Sequence, residues 1–174
     1  MGKQQKVGIV LTGGGARAAY QAGALVAIAE FTKEWGMDYP VDIITGNSAG
    51  ALNAVYMAAN SRDFYKAAYN LQLLWSSIST EQVYKADPFS LTKMGMRWLT
   101  ELSTGRFRRK RVRSLLDTTP LLKLIQSVVD FDHIQDNIEA EHIESLAITA
   151  ANYSLGISQI FYQSYKSIPP WKRY

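Results

Sequence analysis

The chain has no cysteine, which excludes disulfide bonds and thiolate chemistry and fits a reducing compartment. Histidine is almost as scarce. His133 and His142 are the only two, and with no thiol to join them no tetrahedral zinc spacing appears. A metal site is therefore not expected, and nothing calls for an organic cofactor. Nor is there an apolar run of the roughly 18 residues that a membrane-spanning helix requires. The apolar stretch after Lys6 is interrupted at once by glycine, so no signal peptide is read there. Met1-Gly2 lacks the serine or threonine that myristoylation wants, Lys6 standing in its place. Internal repeats and low-complexity linkers are missing as well. What remains is a globular chain, expected to be cytoplasmic or peripheral to a membrane. Its 174 residues, 47% of them apolar, can bury the core of one domain or most of one.

Against these absences stand two glycine-rich elements, Gly13-Gly14-Gly15-Ala16-Arg17 and Gly46-Asn47-Ser48-Ala49-Gly50. Each follows a short β-branched run, Val7–Leu11 in the first case and Val41–Ile44 in the second, and segments suited to helices come after both. A G-x-S-x-G sequence lets a chain turn sharply from strand to helix and lifts the serine hydroxyl out of the backbone. Gly46, Asn47 and Gly50 would form such an elbow around Ser48. The run Ala51–Ala59 supplies the helix, whose N-terminus would point at Ser48 and leave the Ala49 N–H facing an oxyanion formed there. Gly13, Gly14 and Gly15 would expose further N–H groups to an anion, with Arg17 as a nearby cation.

The first element read alone also satisfies a dinucleotide fingerprint, Gly13-x-Gly15-x-x-Ala18, followed by a helical segment through Ala24–Ile28. That reading wants an acidic residue at the end of the second strand. Thr45-Gly46-Asn47-Ser48 stands there instead.

With these two motifs in this order, the sequence resembles the patatin-like phospholipases, whose members carry a G-G-G-x-R/K-G loop and a G-x-S-x-G elbow. The resemblance extends through Ser114–Leu121 and Ile148–Gly156, and so over most of the chain. Ala18 departs from the pattern where a glycine is usual. The resemblance implies a three-layer α/β/α fold with a largely parallel sheet, residues 1–174 forming one domain that is incomplete at its C-terminus. It implies hydrolysis of acyl esters in phospholipids or lysophospholipids, with Ser48 as nucleophile and Gly13, Gly14, Gly15, Arg17 and Ala49 at the oxyanion hole. The family's base is an aspartate in an Asp-Gly motif. None of the aspartates at 38, 42, 63, 87, 117, 130, 132 and 136 precedes a glycine, so that base is expected outside this chain. A catalytically silent lipid-binding module, or a dinucleotide-binding protein, are the alternative readings.

Coarse structure follows from periodicity. A helix capped by Asn60 or Ser61 is predicted to carry Phe64, Ala67, Ala68, Leu71, Leu74, Trp75 and Ile78 on one face, suited to packing on the sheet. Thr119 is placed as the cap of another helix, with Pro120 in its first turn. Leu146–Tyr153 and Ile157–Tyr162 read as antiparallel strands around a turn at Ser154-Leu155-Gly156. The charged stretch Asp130–His142 reads as a solvated face, which leaves both histidines as surface residues rather than bases.

One charge run stands out. Arg106, Arg108, Arg109, Lys110, Arg111 and Arg113 account for the whole basic balance, since without them the formal charge of +4 would be −2. The readings weighed are a solvated face and contact with an anionic membrane, helped by Phe107 and the preceding Met94, Met96, Trp98 and Leu99. Nucleic acid is not the expected partner.

Overall fold

In the computed structural model of the chain, the residues described are 6–37, 39–83, 119–152 and 155–167. The six-cation run at 106–113 lies outside them, as do Met94, Met96, Trp98, Leu99 and the Asp87-Pro88 step. The chain divides into two units, residues 1–77 with 128–174, and residues 78–127.

The first unit is built on a four-stranded sheet in the order β1 (Gly8–Leu11), β2 (Ile43–Asn47), β3 (Ser145–Asn152), β4 (Ile157–Ser164). β1, β2 and β3 run parallel, with Leu11 opposite Gly46 and Gly46 opposite Ile148. β4 returns antiparallel to β3, with Thr149 opposite Ile160. The turn between them carries Gly156 at φ 67°, a conformation glycine adopts without the Cβ penalty. The predicted antiparallel pair is therefore present, on a sheet that is mostly parallel as the α/β expectation requires. β2 starts two residues later than the β-branched run suggested and continues through Gly46 to Asn47. Glycine is tolerated there because a helix packs so closely on it.

That helix is α2 (Ala49–Ala59), which crosses the face of the sheet carrying Leu11, Ile44 and Leu146, all buried. The Cβ that Gly46 lacks would lie 2.8 Å from the Ala54 Cβ and 2.7 Å from the Ala51 Cα. α1 (Ala18–Glu34) and α3 (Phe64–Ser77) pack on each other and on α2. The apolar stripe of α3 thus meets helices rather than serving chiefly as a cover for the sheet. Its cap is Asp63, whose Oδ1 accepts the Lys66 N–H at 2.8 Å, and not Asn60 or Ser61. Beyond α3 lie α4 (Thr80–Val83) and α5 (Thr119–Val128); Thr119 is already the first residue of α5. α6 (Asp132–Glu139) then buries Ile134, Asn137 and Ile138, so the stretch read as a solvated face is amphipathic. The Asn137 side-chain amide donates to Ala58 O and Ala59 O, both at 2.9 Å, and closes the last turn of α2.

At the edge where the parallel strands begin, charges join the segments that flank the strands. Lys6 Nζ pairs with Asp42 Oδ1 at 3.0 Å and Glu144 Oε2 at 3.1 Å, and Lys166 Nζ pairs with Glu144 Oε1 at 3.2 Å. Asp42 Oδ2 also accepts the Val7 N–H at 2.8 Å.

Candidate active site

At the opposite edge, where the parallel strands end, the two glycine-rich elements meet. β2 passes into α2 through Ser48 with no linker, and this residue takes φ 51°, ψ −128°. A non-glycine residue at such angles costs on the order of 1–3 kcal/mol and persists only where its surroundings impose it. Here those surroundings are backbone. The Cβ missing from Gly50 would strike the Leu11 and Thr12 carbonyls, and the one missing from Gly46 would come within 2.5 Å of Gly50 O. Both glycines are buried and Ser48 is exposed, so the tight turn pushes the hydroxyl outward. Ala49 opens α2, and its N–H belongs to the first helical turn, where no intrahelical acceptor exists.

The glycine loop lies directly beside this turn. A Cβ on Gly13 would sit 3.0 Å from the Ser48 Cβ and 3.6 Å from Asn47 O. Gly14 precedes a short 3-10 turn, Gly15–Arg17, in which Gly15 has φ 56° and the Arg17 N–H donates to Gly14 O at 3.1 Å. Gly13, Gly14, Gly15 and Arg17 are all exposed. The structure therefore brings Ser48, the three glycines, Ala49, Asn47 and the Arg17 backbone to one sheet edge. Such an arrangement can present a hydroxyl and several unpaired N–H groups to one small anionic or carbonyl group. A groove of about 300 Å³ runs from this edge along the sheet face opposite α2, past Thr12, Asn47 and Thr149 to Val10, Ala147 and Ile160.

A base is not assembled here from the described residues, among which nothing hydrogen-bonds the Ser48 hydroxyl. Asp42 and Glu144 lie before β2 and β3 at the other edge, and His142, whose N–H donates to Asn137 O, is there with them. His133 is exposed on α6 and 3.7 Å from Asp130. His133 is thus exposed as expected, whereas His142 is half-buried. Among the described residues no cluster of His, Asp or Glu suits a metal ion, and no helix is long and apolar enough to cross a membrane.

Three residues that the sequence did not connect with the site support it from behind. Asn53, wholly buried on α2, donates through Nδ2 to Ala18 O and to Gln21 Oε1, both at 3.0 Å. Its Oδ1 accepts the Trp75 indole N–H at 2.7 Å. Gln21 Nε2 in turn donates to Thr12 O at 2.7 Å. The available signal was an amide at the fifth position after the serine, in an otherwise apolar helix.

The family model of the patatin-like phospholipases matches residues 9–166. No curated protein matches the chain. Among solved structures, a chain of the heterodimeric complex ExoU-SpcU from the type III secretion system of Pseudomonas aeruginosa is similar over 91% of this chain, at 20% identity and a TM-score of 0.41. This chain spans 33% of the length of that one.

Proposed function

Because the chain belongs to the patatin-like phospholipase family, we propose that it is the serine-bearing part of a lipid acyl hydrolase acting on phospholipid or lysophospholipid esters. The observation that carries this reading is the backbone of Ser48, held at φ 51° between two buried glycines with the Gly13 Cα against it. In the mechanism, the Ser48 Oγ attacks the ester carbonyl while its proton passes to an aspartate supplied from beyond these residues. The tetrahedral oxyanion is held by N–H groups of Gly13 and Gly14 and by that of Ala49. Loss of one such donor typically raises a barrier by about 2.7–4 kcal/mol. Collapse expels the lysolipid or glycerol alcohol and leaves an acyl-serine, which water cleaves to the fatty acid and free Ser48. Arg17, on the turn that follows Gly14, would favour an anionic headgroup or the developing oxyanion.

A second reading, lipid binding without turnover, is favoured by the lack of any base beside Ser48 among the described residues. Contact with an anionic membrane through Arg106, Arg108, Arg109, Lys110, Arg111 and Arg113 suits either. Hydrolysis of a short-chain p-nitrophenyl ester separates the two readings, measured on this chain and on the protein expressed from its complete reading frame, each with Ser48→Ala. Turnover in the longer protein that Ser48→Ala abolishes is the expected result. Silence in both, with saturable binding of a non-hydrolysable phospholipid analogue, would replace the hydrolase with the binding module.

A further inference from the structure

We propose that Gln21 is a positioning residue that fixes the direction of the Gly13 N–H beside Ser48, and that Asn53 and Trp75 hold Gln21 to that task. The inference rests on the hydrolase reading for its purpose, but its geometry is independent of it. Thr12 C=O and Gly13 N–H belong to one planar trans peptide and point in opposite directions, so a group that anchors the first aims the second. Gln21 is that anchor, through its 2.7 Å bond to Thr12 O.

The orientation of each side-chain amide follows from chemistry. The Trp75 indole can only donate, so the atom of Asn53 that faces it is Oδ1. The Asn53 amide nitrogen then faces Ala18 O and Gln21, which presents its own oxygen and leaves its nitrogen toward Thr12. Every bond in the series runs the same way, from Trp75 to Asn53, to Gln21, to the Thr12 carbonyl. Across the peptide the next donor is the Gly13 N–H. Hydrogen bonds aligned head to tail polarise one another, so this series both orients that N–H and strengthens it as a donor. It also spans α3, α2 and α1, the three helices behind the loop, and Asn53 is wholly buried while Gln21 is only half-buried. A substitution at Gln21 therefore tests the aim of the peptide without opening the core.

The test uses the protein expressed from its complete reading frame, with Gln21→Met, which keeps length but loses the donor, and Gln21→Lys, which restores one. Two quantities are read: the rate at which an alkyl fluorophosphonate labels Ser48, and the amide ¹⁵N resonance of Gly13 with no probe present. Gln21→Met should slow labelling about tenfold to a hundredfold, the scale on which small misplacements of a reacting group act, and should move the Gly13 resonance at an unchanged thermal midpoint. Gln21→Lys, which can donate to Thr12 O but offers Asn53 no acceptor, should recover only part of the rate. A parent-like labelling rate and an unmoved Gly13 resonance in Gln21→Met would overturn the proposal. If the parent protein labels no faster than Ser48→Ala, the hydrolase reading fails, and the Gly13 resonance alone still decides the positioning.

Discussion

The two edges of the sheet are held by different physics. Where the strands begin, exposed charges do the joining: Lys6 bridges Asp42 and Glu144, and Lys166 adds a second cation to Glu144. Where they end, Ser48 and its glycines are held by backbone lying on backbone, with no room for a methyl group at Gly46 or Gly50. Long charged side chains in water adapt, and exposed pairs of this kind contribute little each. Close backbone contact does not adapt, because every atom in it is fixed by the strands and helices it belongs to. The charged edge is thus built to tolerate change, and the edge that carries the exposed serine is not.

The contrast is broken most severely by Gly50→Ala. Its methyl meets the Leu11 and Thr12 carbonyls, which cannot move without parting β1 from α2. A loss of about 3 kcal/mol or more is expected in denaturant titration. Gly15→Ala acts through conformation alone, since φ is 56° and no atom lies within 4 Å of the added carbon. It should cost about 1–2 kcal/mol, and Gly15→Asn less, because asparagine enters that region more readily. If both glycines respond alike, crowding is not what distinguishes the serine edge.

The smallest effect belongs to the charged edge, and pH exposes it. Burial pushes the Asp42 carboxyl up, but the Val7 N–H and Lys6 together outweigh it and hold the group below its ordinary range. Lys6 and Lys166 do the same to Glu144, and these partners raise the Lys6 ammonium above its usual 10.5. The carboxylates therefore contribute stability above about pH 4, where they ionise in the unfolded chain. That contribution is lost as pH falls through their lowered folded-state values. The Lys6 contribution is complete below its unfolded value and is lost only in strong alkali. Thermal midpoints of Lys6→Met should lie slightly below the parent's, by a constant amount between about pH 5 and 9, and converge with it in acid. A gap that persists at low pH would mean that Lys6 acts through packing instead.

The serine edge was largely legible in the sequence because its information is local. Gly46, Ser48 and Gly50 stand within five residues, the strand and helix flank them directly, and the backbone geometry follows from that short stretch. β3 and β4 were legible for the same reason, a glycine turn between two apolar runs. Asp63 was missed as the cap because Asn60 and Ser61 are equally good capping types, and only the actual start of α3 chooses among them. The series from Trp75 to Thr12 was not legible at all. It joins residues that are 22, 32 and 9 positions apart, and nothing in their spacing shows that three helices will bring them together. Asn53 looks in sequence like an ordinary polar residue of a good helix, and its function depends on burial. The packing of α3 on α1 and α2 belongs to the same class, because a periodic stripe states that a helix is covered but not by what.

The order of the sheet has one further consequence. β1 and β2 are joined through α1 alone, but β2 and β3, which lie side by side, are separated by residues 48–144. Closing so long a loop is a cost that grows only with the logarithm of its length, about 0.6 kcal/mol for each doubling. Loop closure is therefore a minor term for a change of length that falls in residues 78–127 and leaves α2, α3 and α6 of the first unit intact. Within this connection, length is thermodynamically cheaper to vary in residues 78–127 than in α2, α3 and α6, whose buried faces belong to the core of the first unit.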